Sequence, residues 1–217
     1  MNANLNASLN DRLAAAPIVP LVAASDSETA VAITEALIAG GLGVIEVVLR
    51  SEAALDCLAA TVKAFPQAQV GAGTVLTPGQ ARQVIDAGAR FIVSPGLHEG
   101  VVGAAQEAGL PVYPGIATAT ELQTAWNLGL DTVKFFPAGL GGGVPMLKAL
   151  SSVFRGVRFM PTGGVSAANL ADFLAVPQVI ACGGSWLTPA AAVAAGDFAT
   201  ITRLADEARA IASAVRP

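Results

Sequence analysis

Short apolar runs recur along the whole chain, and each is followed by an Ala- and Leu-rich stretch whose polar residues fall at helical spacing. The runs begin near Ile18, Gly43, Gln69, Phe91, Pro111, Thr132, Arg158 and Val179, at intervals of roughly 20 to 26 residues. That interval fits one strand, one helix and two short connections. Each run is only 5 to 9 residues long and is interrupted by Gly, Pro or a charge, so none spans a bilayer and all read as strands buried on both faces. Helix starts are marked by Asp26-Ser27, Thr77-Pro78 and Ser166, and helix ends by Gly40-Gly41, Gly88, Gly109 and Gly129. A last helix is expected over Asp197 to Ala214. A doubly wound open sheet has the same alternation, but eight near-equal units favour closure. The predicted fold is α/β: a (β/α)8 TIM barrel with a short N-terminal helix, forming a single domain over residues 1–217.

Composition narrows the function. An apolar fraction of 53% is enough for one substantial core, and with 13% charged residues and a net charge of −4 the chain offers no basic surface for DNA or RNA. Nucleic acid and membrane are therefore not expected as partners. Met1 to Leu13 is polar and Asn-rich, without the basic start and apolar stretch of a secretory signal; the expected location is cytoplasmic. Cys57 and Cys182 lack metal-ligand spacing and read as small buried side chains.

In a barrel of this kind the chemistry sits at the carboxyl ends of the strands, so polar residues late in apolar strands are the candidates. The run Thr132-Val133-Lys134-Phe135-Phe136-Pro137 places one of three lysines inside an apolar strand, an expensive site for an ammonium. The ordinary alternative, a stem lying along the surface, suits Lys63 and Lys148 on helices better. Surrounded by Val133, Phe135 and Phe136, Lys134 is expected to act as a neutral amine that attacks a carbonyl. In Val44-Ile45-Glu46-Val47-Val48-Leu49-Arg50 the period of two puts Glu46, Val48 and Arg50 on one face. Glu46 and Arg50 then point together, either as a structural ion pair or as a proton-transfer group and a carboxylate clamp.

Gly71-Ala72-Gly73-Thr74 offers a hydroxyl and glycines that would let a backbone approach a ligand, although glycines in a tight barrel also serve packing. Two Gly-Gly pairs are more informative. Thr162-Gly163-Gly164 and Gly183-Gly184-Ser185 follow the seventh and eighth strands, where such barrels hold phosphate on backbone N–H groups and helix N-termini. The only histidine, His98, reads as a helix-capping residue, and Trp126 and Trp186 as packing residues.

Together these residues resemble the 2-keto-3-deoxy-6-phosphogluconate aldolase family, class I aldolases of the bacterial Entner-Doudoroff pathway. The markers are Ile18-Val19-Pro20, Glu46 to Arg50, Gly71 to Val75, Ser94-Pro95-Gly96, Pro114-Gly115, Lys134 to Ala138, Pro161 to Gly164 and Gly183 to Trp186, spread over nearly the whole chain. The resemblance implies that Lys134 forms the Schiff base and that Glu46 is the general acid/base. It implies that Arg50 and Thr74 bind the pyruvyl carboxylate, that Pro95 belongs to the substrate site, that Phe136 packs on the keto acid and that Thr162 contacts the substrate's polar groups. Gly163, Gly164, Gly184 and Ser185 would hold phosphate. No metal and no cofactor are implied, and the assembly is a homotrimer.

Two departures stand out: Val48 occupies a position where the family carries Thr, and the run after Ala138 is Gly139 to Gly143 where the family carries an acidic residue. A more mobile loop is expected there. The resemblance implies cleavage of the phosphorylated gluconate-derived keto acid to pyruvate and glyceraldehyde 3-phosphate, with the galactonate epimer and 4-hydroxy-2-oxoglutarate as alternative substrates. Two rivals remain: a phosphosugar isomerase without a covalent step, and a barrel that only binds phosphosugars.

Overall fold

The computed structural model describes residue 9 and residues 11–216. Strands and helices alternate as expected: β1 (Ile18–Val22), α1 (Ser27–Ala39), β2 (Val44–Val48), α2 (Ala54–Ala64), β3 (Gln69–Gly73), α3 (Pro78–Asp86), β4 (Ile92–Val93), α4 (Glu99–Glu107), β5 (Val112–Tyr113), β6 (Gly115–Ile116), α5 (Ala119–Asn127), β7 (Thr132–Phe135), α6 (Gly143–Val153), β8 (Arg158–Pro161), α7 (Leu170–Leu174), β9 (Cys182–Gly184), α8 (Ala190–Ala194) and α9 (Phe198–Val215). Every named pairing is parallel. Six strands form one sheet in the order β5-β4-β3-β2-β1-β9, a half-barrel, and β6-β7-β8 form a second.

Where the chain departs from the predicted pattern, the cause is local. The fifth apolar run is split into β5 and β6 by Pro114, which has no N–H for the ladder but whose carbonyl accepts from the Lys134 N–H at 2.9 Å. The eighth run was expected from Val179, yet regular pairing begins only at Cys182; before that, Val179 touches Phe159 through an isolated bridge. The helix expected at Ser166 begins at Leu170, because Ser166 to Asn169 form a turn in which Asn169 Oδ1 accepts from the Ser166 N–H at 2.8 Å. A short extra helix, α8, precedes the last one. Most of the predicted N-terminal helix lies outside the described residues, although 11–15 is helical.

Helix boundaries follow capping chemistry. Asp26, Thr77, Thr118 and Asp197 accept from the third backbone N–H beyond them, and Thr118 with Glu121 forms a reciprocal capping box. The Thr29 N–H holds the Asp26 carboxyl below the usual range, and the Ala117 N–H, followed by the Thr118 hydroxyl and N–H, does the same for Glu121. His98 caps α4, its Nδ1 accepting from Gly100 N–H at 3.1 Å. Gly41, Gly88, Gly109 and Gly129 all have positive φ, as the expected left-handed helix ends require.

The apolar side chains sort into two clusters. The larger joins one face of the strands (Val47, Val70, Ala72, Val133, Phe135) to the helices, and the smaller collects Val19, Val44, Phe91, Val93, Tyr113, Met160 and Ala181 with Leu9 and Leu13. Alternation along each strand produces this division. Both cysteines are free and buried, and burial pushes the Cys182 thiol up to about 12. Trp126, expected to pack, is 48% exposed on α5, with its ring edge near Gly156.

The last helix is tied down by Arg216, whose guanidinium donates to the carbonyls of Leu174, Val176 and Val179 at 2.6 to 3.3 Å. These carbonyls end α7 and lead into β9. Arg216→Ala leaves them without this partner, and is expected to cost about 2 kcal/mol and to lower Tm by about 4–8 °C in a thermal melt. An unchanged melt would show that the clamp contributes nothing.

Candidate active site

Two strands meet in one buried charge pair. Lys134 comes from β7 and Glu46 from β2, and Nζ lies 3.7 Å from Oε1 with side-chain exposures of only 4% and 1%. The direction of each follows from its strand: Val133 and Phe135 face the helices within the larger core, so Lys134 between them must point the other way. This corrects one expectation. Of the three apolar neighbours predicted to surround the amine, only Phe136 does so, with Nζ 5.1 Å from its ring centre; Val133 and Phe135 serve the opposite face.

Neither carboxylate oxygen of Glu46 has a hydrogen-bond partner. A separation of 3.7 Å is worth about 4 kcal/mol of attraction at an effective dielectric of 20, comparable with the cost of burying two ions. The pair therefore gives the fold little net stability. What it does provide is an amine and a proton acceptor side by side, shielded from water.

Among the described residues no ion pair joins Glu46 to Arg50, the structural alternative for these two. Strand β2 ends at Val48, and Arg50 lies beyond it, exposed, with Nε donating to Thr74 Oγ1 at 3.3 Å. Thr74 has φ 59, the one described non-glycine residue with positive φ, a conformation that costs of order 1 kcal/mol. That bend directly after β3 turns its hydroxyl toward the guanidinium. Arg50 and Val48 also line a cleft of about 250 Å³ with Ala23, Ala24, Ser25 and Ser51 at the carboxyl ends of β1 and β2. Another cleft, of about 230 Å³, includes Tyr113, Asp131 and Arg158 near the amino-terminal ends of β5, β7 and β8, and touches none of the predicted site residues.

Several of the motif glycines leave room for other parts of the chain. A Cβ on Gly71 would run into the Phe91 ring, and one on Gly73 would overlap the Glu46 carboxylate. Gly115 likewise leaves room for the carbonyl of Pro95, in a turn where Ser94 Oγ donates to Gly96 O at 2.8 Å. Gly183 makes way for Thr162, which is buried beside it through the bridge joining the ends of β8 and β9. Gly184 is filled over by the Trp186 ring. None of these five contacts is legible from composition, since a packing glycine and a ligand-binding glycine have the same letter.

The Gly163-Gly164 turn differs. Both residues have positive φ, 86 and 83, and among the described residues their N–H groups and that of Ser185 donate no hydrogen bond. The Thr162–Gly183 bridge brings the two turns together, leaving free donors suited to an anion. The glycine run after Ala138, expected to be loose, is tied by three backbone bonds: Gly139 N–H to Gly163 O at 2.8 Å, Gly141 N–H to Pro137 O at 2.7 Å and Gly143 N–H to Ala138 O at 2.9 Å. Among the described residues no cluster of His, Cys, Asp and Glu is suited to a metal, and no helix is long and apolar enough to cross a membrane.

Known proteins resemble this chain over almost its full length. The KHG/KDPG aldolase of Escherichia coli K12 is 48% identical over 205 residues, covering 94% of this chain and 96% of that one. A KDPG aldolase from Legionella pneumophila, solved with pyruvate captured as a covalent carbinolamine intermediate, superposes with a TM-score of 0.87 at 42% identity, covering 91% of this chain and 96% of that one. The aldolase of Zymomonas mobilis ZM4, solved with 3-phosphoglycerate, gives 0.86 at 42% identity and covers 94% and 95%. The model of the KDPG and KHG aldolases matches residues 9–204, and this chain belongs to that family.

Proposed function

We propose that this protein is a class I aldolase that cleaves 2-keto-3-deoxy-6-phosphogluconate to pyruvate and glyceraldehyde 3-phosphate, with Lys134 as the Schiff-base lysine and Glu46 as the general acid/base. The observation that carries this reading is the buried amine–carboxylate pair with its unsatisfied oxygens. The Legionella relative, with pyruvate held as a carbinolamine, supports the covalent route.

Lys134 Nζ attacks the C2 ketone to give a carbinolamine, and loss of water yields a protonated imine that draws electrons from C3. Glu46 takes the C4 hydroxyl proton as the C3–C4 bond breaks. The aldehyde leaves, and the enamine is protonated at C3 and hydrolysed to pyruvate and free amine. Arg50 and Thr74 fit a carboxylate clamp for the keto acid and Phe136 fits a wall beside the imine; Thr162 is assigned to the substrate's polar groups and Pro95 to the substrate site by resemblance to the family. Gly163, Gly164, Gly184 and Ser185 fit a phosphate cradle of backbone N–H groups. The imine serves as the electron sink, so no metal or other cofactor has a part in these steps.

We also propose that the two sheets make one closed (β/α)8 barrel, a single domain over 1–217. In its favour, β5 and β6 are consecutive pieces of one strand and β8 and β9 are bridged at both ends. A homotrimer is proposed on the exposed Trp126 and Val153, which line one shallow cleft with Gln123, Phe154 and Arg155. Light scattering is expected to give about three times the 21.7 kDa chain mass; a monomer mass at micromolar concentration would refute it. A cytoplasmic location accords with two free thiols.

Borohydride reduction in the presence of pyruvate tests the covalent step. Lys134→Ala is expected to abolish both the trapped mass and turnover, while Glu46→Gln slows cleavage about 100-fold or more with trapping retained. Adduct that persists on Lys63 or Lys148 would remove Lys134 from the mechanism.

A second reading, cleavage of unphosphorylated 4-hydroxy-2-oxoglutarate, is favoured by the Escherichia coli relative, whose name couples both activities. Ser185→Asp distinguishes the two because it sets a negative charge beside the free N–H groups without disturbing Trp186 on Gly184. It is expected to lower kcat/KM for the phosphorylated acid about 10-fold or more while leaving the unphosphorylated one within about 2-fold. Equal losses on both would shift the assignment to the unphosphorylated acid.

A further inference from the structure

Gly71 and Gly73 stand two apart on β3 and so share one face, opposite Val70 and Ala72, which pack toward the helices. Neither needs to be glycine for the sake of its backbone. Their φ angles lie outside the positive region, in extended geometry that alanine adopts without strain, and an interior glycine weakens a strand. What excludes a side chain is space. A Cβ on Gly73 would overlap Glu46 Oε1 and stand 2.7 Å from both Cδ and Cγ; one on Gly71 would stand 2.5 Å from three carbons of the Phe91 ring.

A buried carboxylate is ordinarily held in place by hydrogen bonds. Glu46 has none on either oxygen, and its nearest charge lies at 3.7 Å. Its position is therefore set by the shape of its surroundings, and Gly73 makes the closest part of that shape. Strand β3 is fixed against β2 around the contact, by the pairing of Glu46 with Gly71 and of Val48 with Gly73, and by a 2.9 Å bond from Leu49 N–H to Gly73 O. We propose that Gly73 is a positioning residue whose missing side chain forms the seat of the Glu46 carboxyl group and aims it at Lys134. Its catalytic consequence rests on the reading of Glu46 as the proton-transfer group.

The test uses Gly73→Ala and two reactions that part company at one step. Borohydride trapping of pyruvate requires only the imine at Lys134. Exchange of the pyruvate methyl protons with deuterated water, followed by proton NMR, requires the imine and a correctly placed base. Gly73→Ala is expected to reduce exchange about 100-fold or more while trapping stays within about 3-fold of wild type. Equal loss of both reactions, or unchanged exchange, overturns the proposal. Glu46→Gln measured alongside separates the two ideas. Wild-type exchange in Glu46→Gln would remove the proton-transfer reading and with it the positioning role. Normal exchange in Gly73→Ala beside a large loss in Glu46→Gln would remove the positioning role alone.

A melting-temperature cycle addresses the contact without any activity and covers the case in which Gly73→Ala fails to fold. The substitution should lower Tm, or prevent folding, in the wild-type background. In Glu46→Ala, where the seat is empty, it should cost nothing or raise Tm slightly, as a glycine-to-alanine change in compatible backbone does. An equal penalty in both backgrounds, or failure of the double variant to fold, overturns the seat.

Discussion

The Lys134 amine and the Glu46 carboxyl group, both almost wholly buried and 3.7 Å apart, set the terms for everything around them. Water is excluded, so each charge has chiefly the other to answer it, and removing one leaves the second uncompensated in a low-dielectric interior. The surroundings must then keep the pair in register without supplying hydrogen bonds of their own, because a carboxylate held tightly by donors is a poorer proton acceptor. Parallel strands do this well. Each fixes its residue by main-chain bonds to two neighbours, so that Lys134 and Glu46 are located by backbone rather than by side-chain contacts.

Close packing on the inner face is the second requirement, and it explains the distribution of glycine. Phe91, Glu46, Thr162 and Trp186 each occupy the volume where a neighbouring residue's Cβ would be. A bulky or reactive side chain is thus matched to an absent one, the large-against-small complementarity by which interiors reach crystal-like density. In a space only a few side chains wide, the geometry of the reactive groups and the packing of the core become the same problem.

The turns at Gly163-Gly164 and Ser185 are built by different means. Their free main-chain N–H groups are brought together by the Thr162–Gly183 bridge, with no lysine or arginine among the three residues. A chain with net charge −4 can hold a phosphate in this way, since oriented amides act locally and are indifferent to overall charge. Arg50 lies apart from them, its exposed guanidinium held by the hydrogen bond to the strained Thr74.

The sequence by itself determined the alternation of elements, the helix caps at Asp26, Thr77, His98 and Asp197, and the placing of Lys134 and Glu46 inside apolar strands, because each depends on local spacing or on a charge standing where only apolar residues are cheap. It determined the family as well, through motifs spread along nearly the whole chain. Tertiary structure decided which residues meet. Arg50 was paired with Glu46 on strand periodicity, but periodicity extends only as far as the strand, and β2 stops at Val48. Gly71, Gly73 and Gly184 gave no sign of the side chains they accommodate, since those come from other strands or from a turn whose path the letters do not describe. Trp126 was expected inside and lies half exposed. Local rules act over a few residues, and contacts between strands distant in sequence exist only once the sheet has formed.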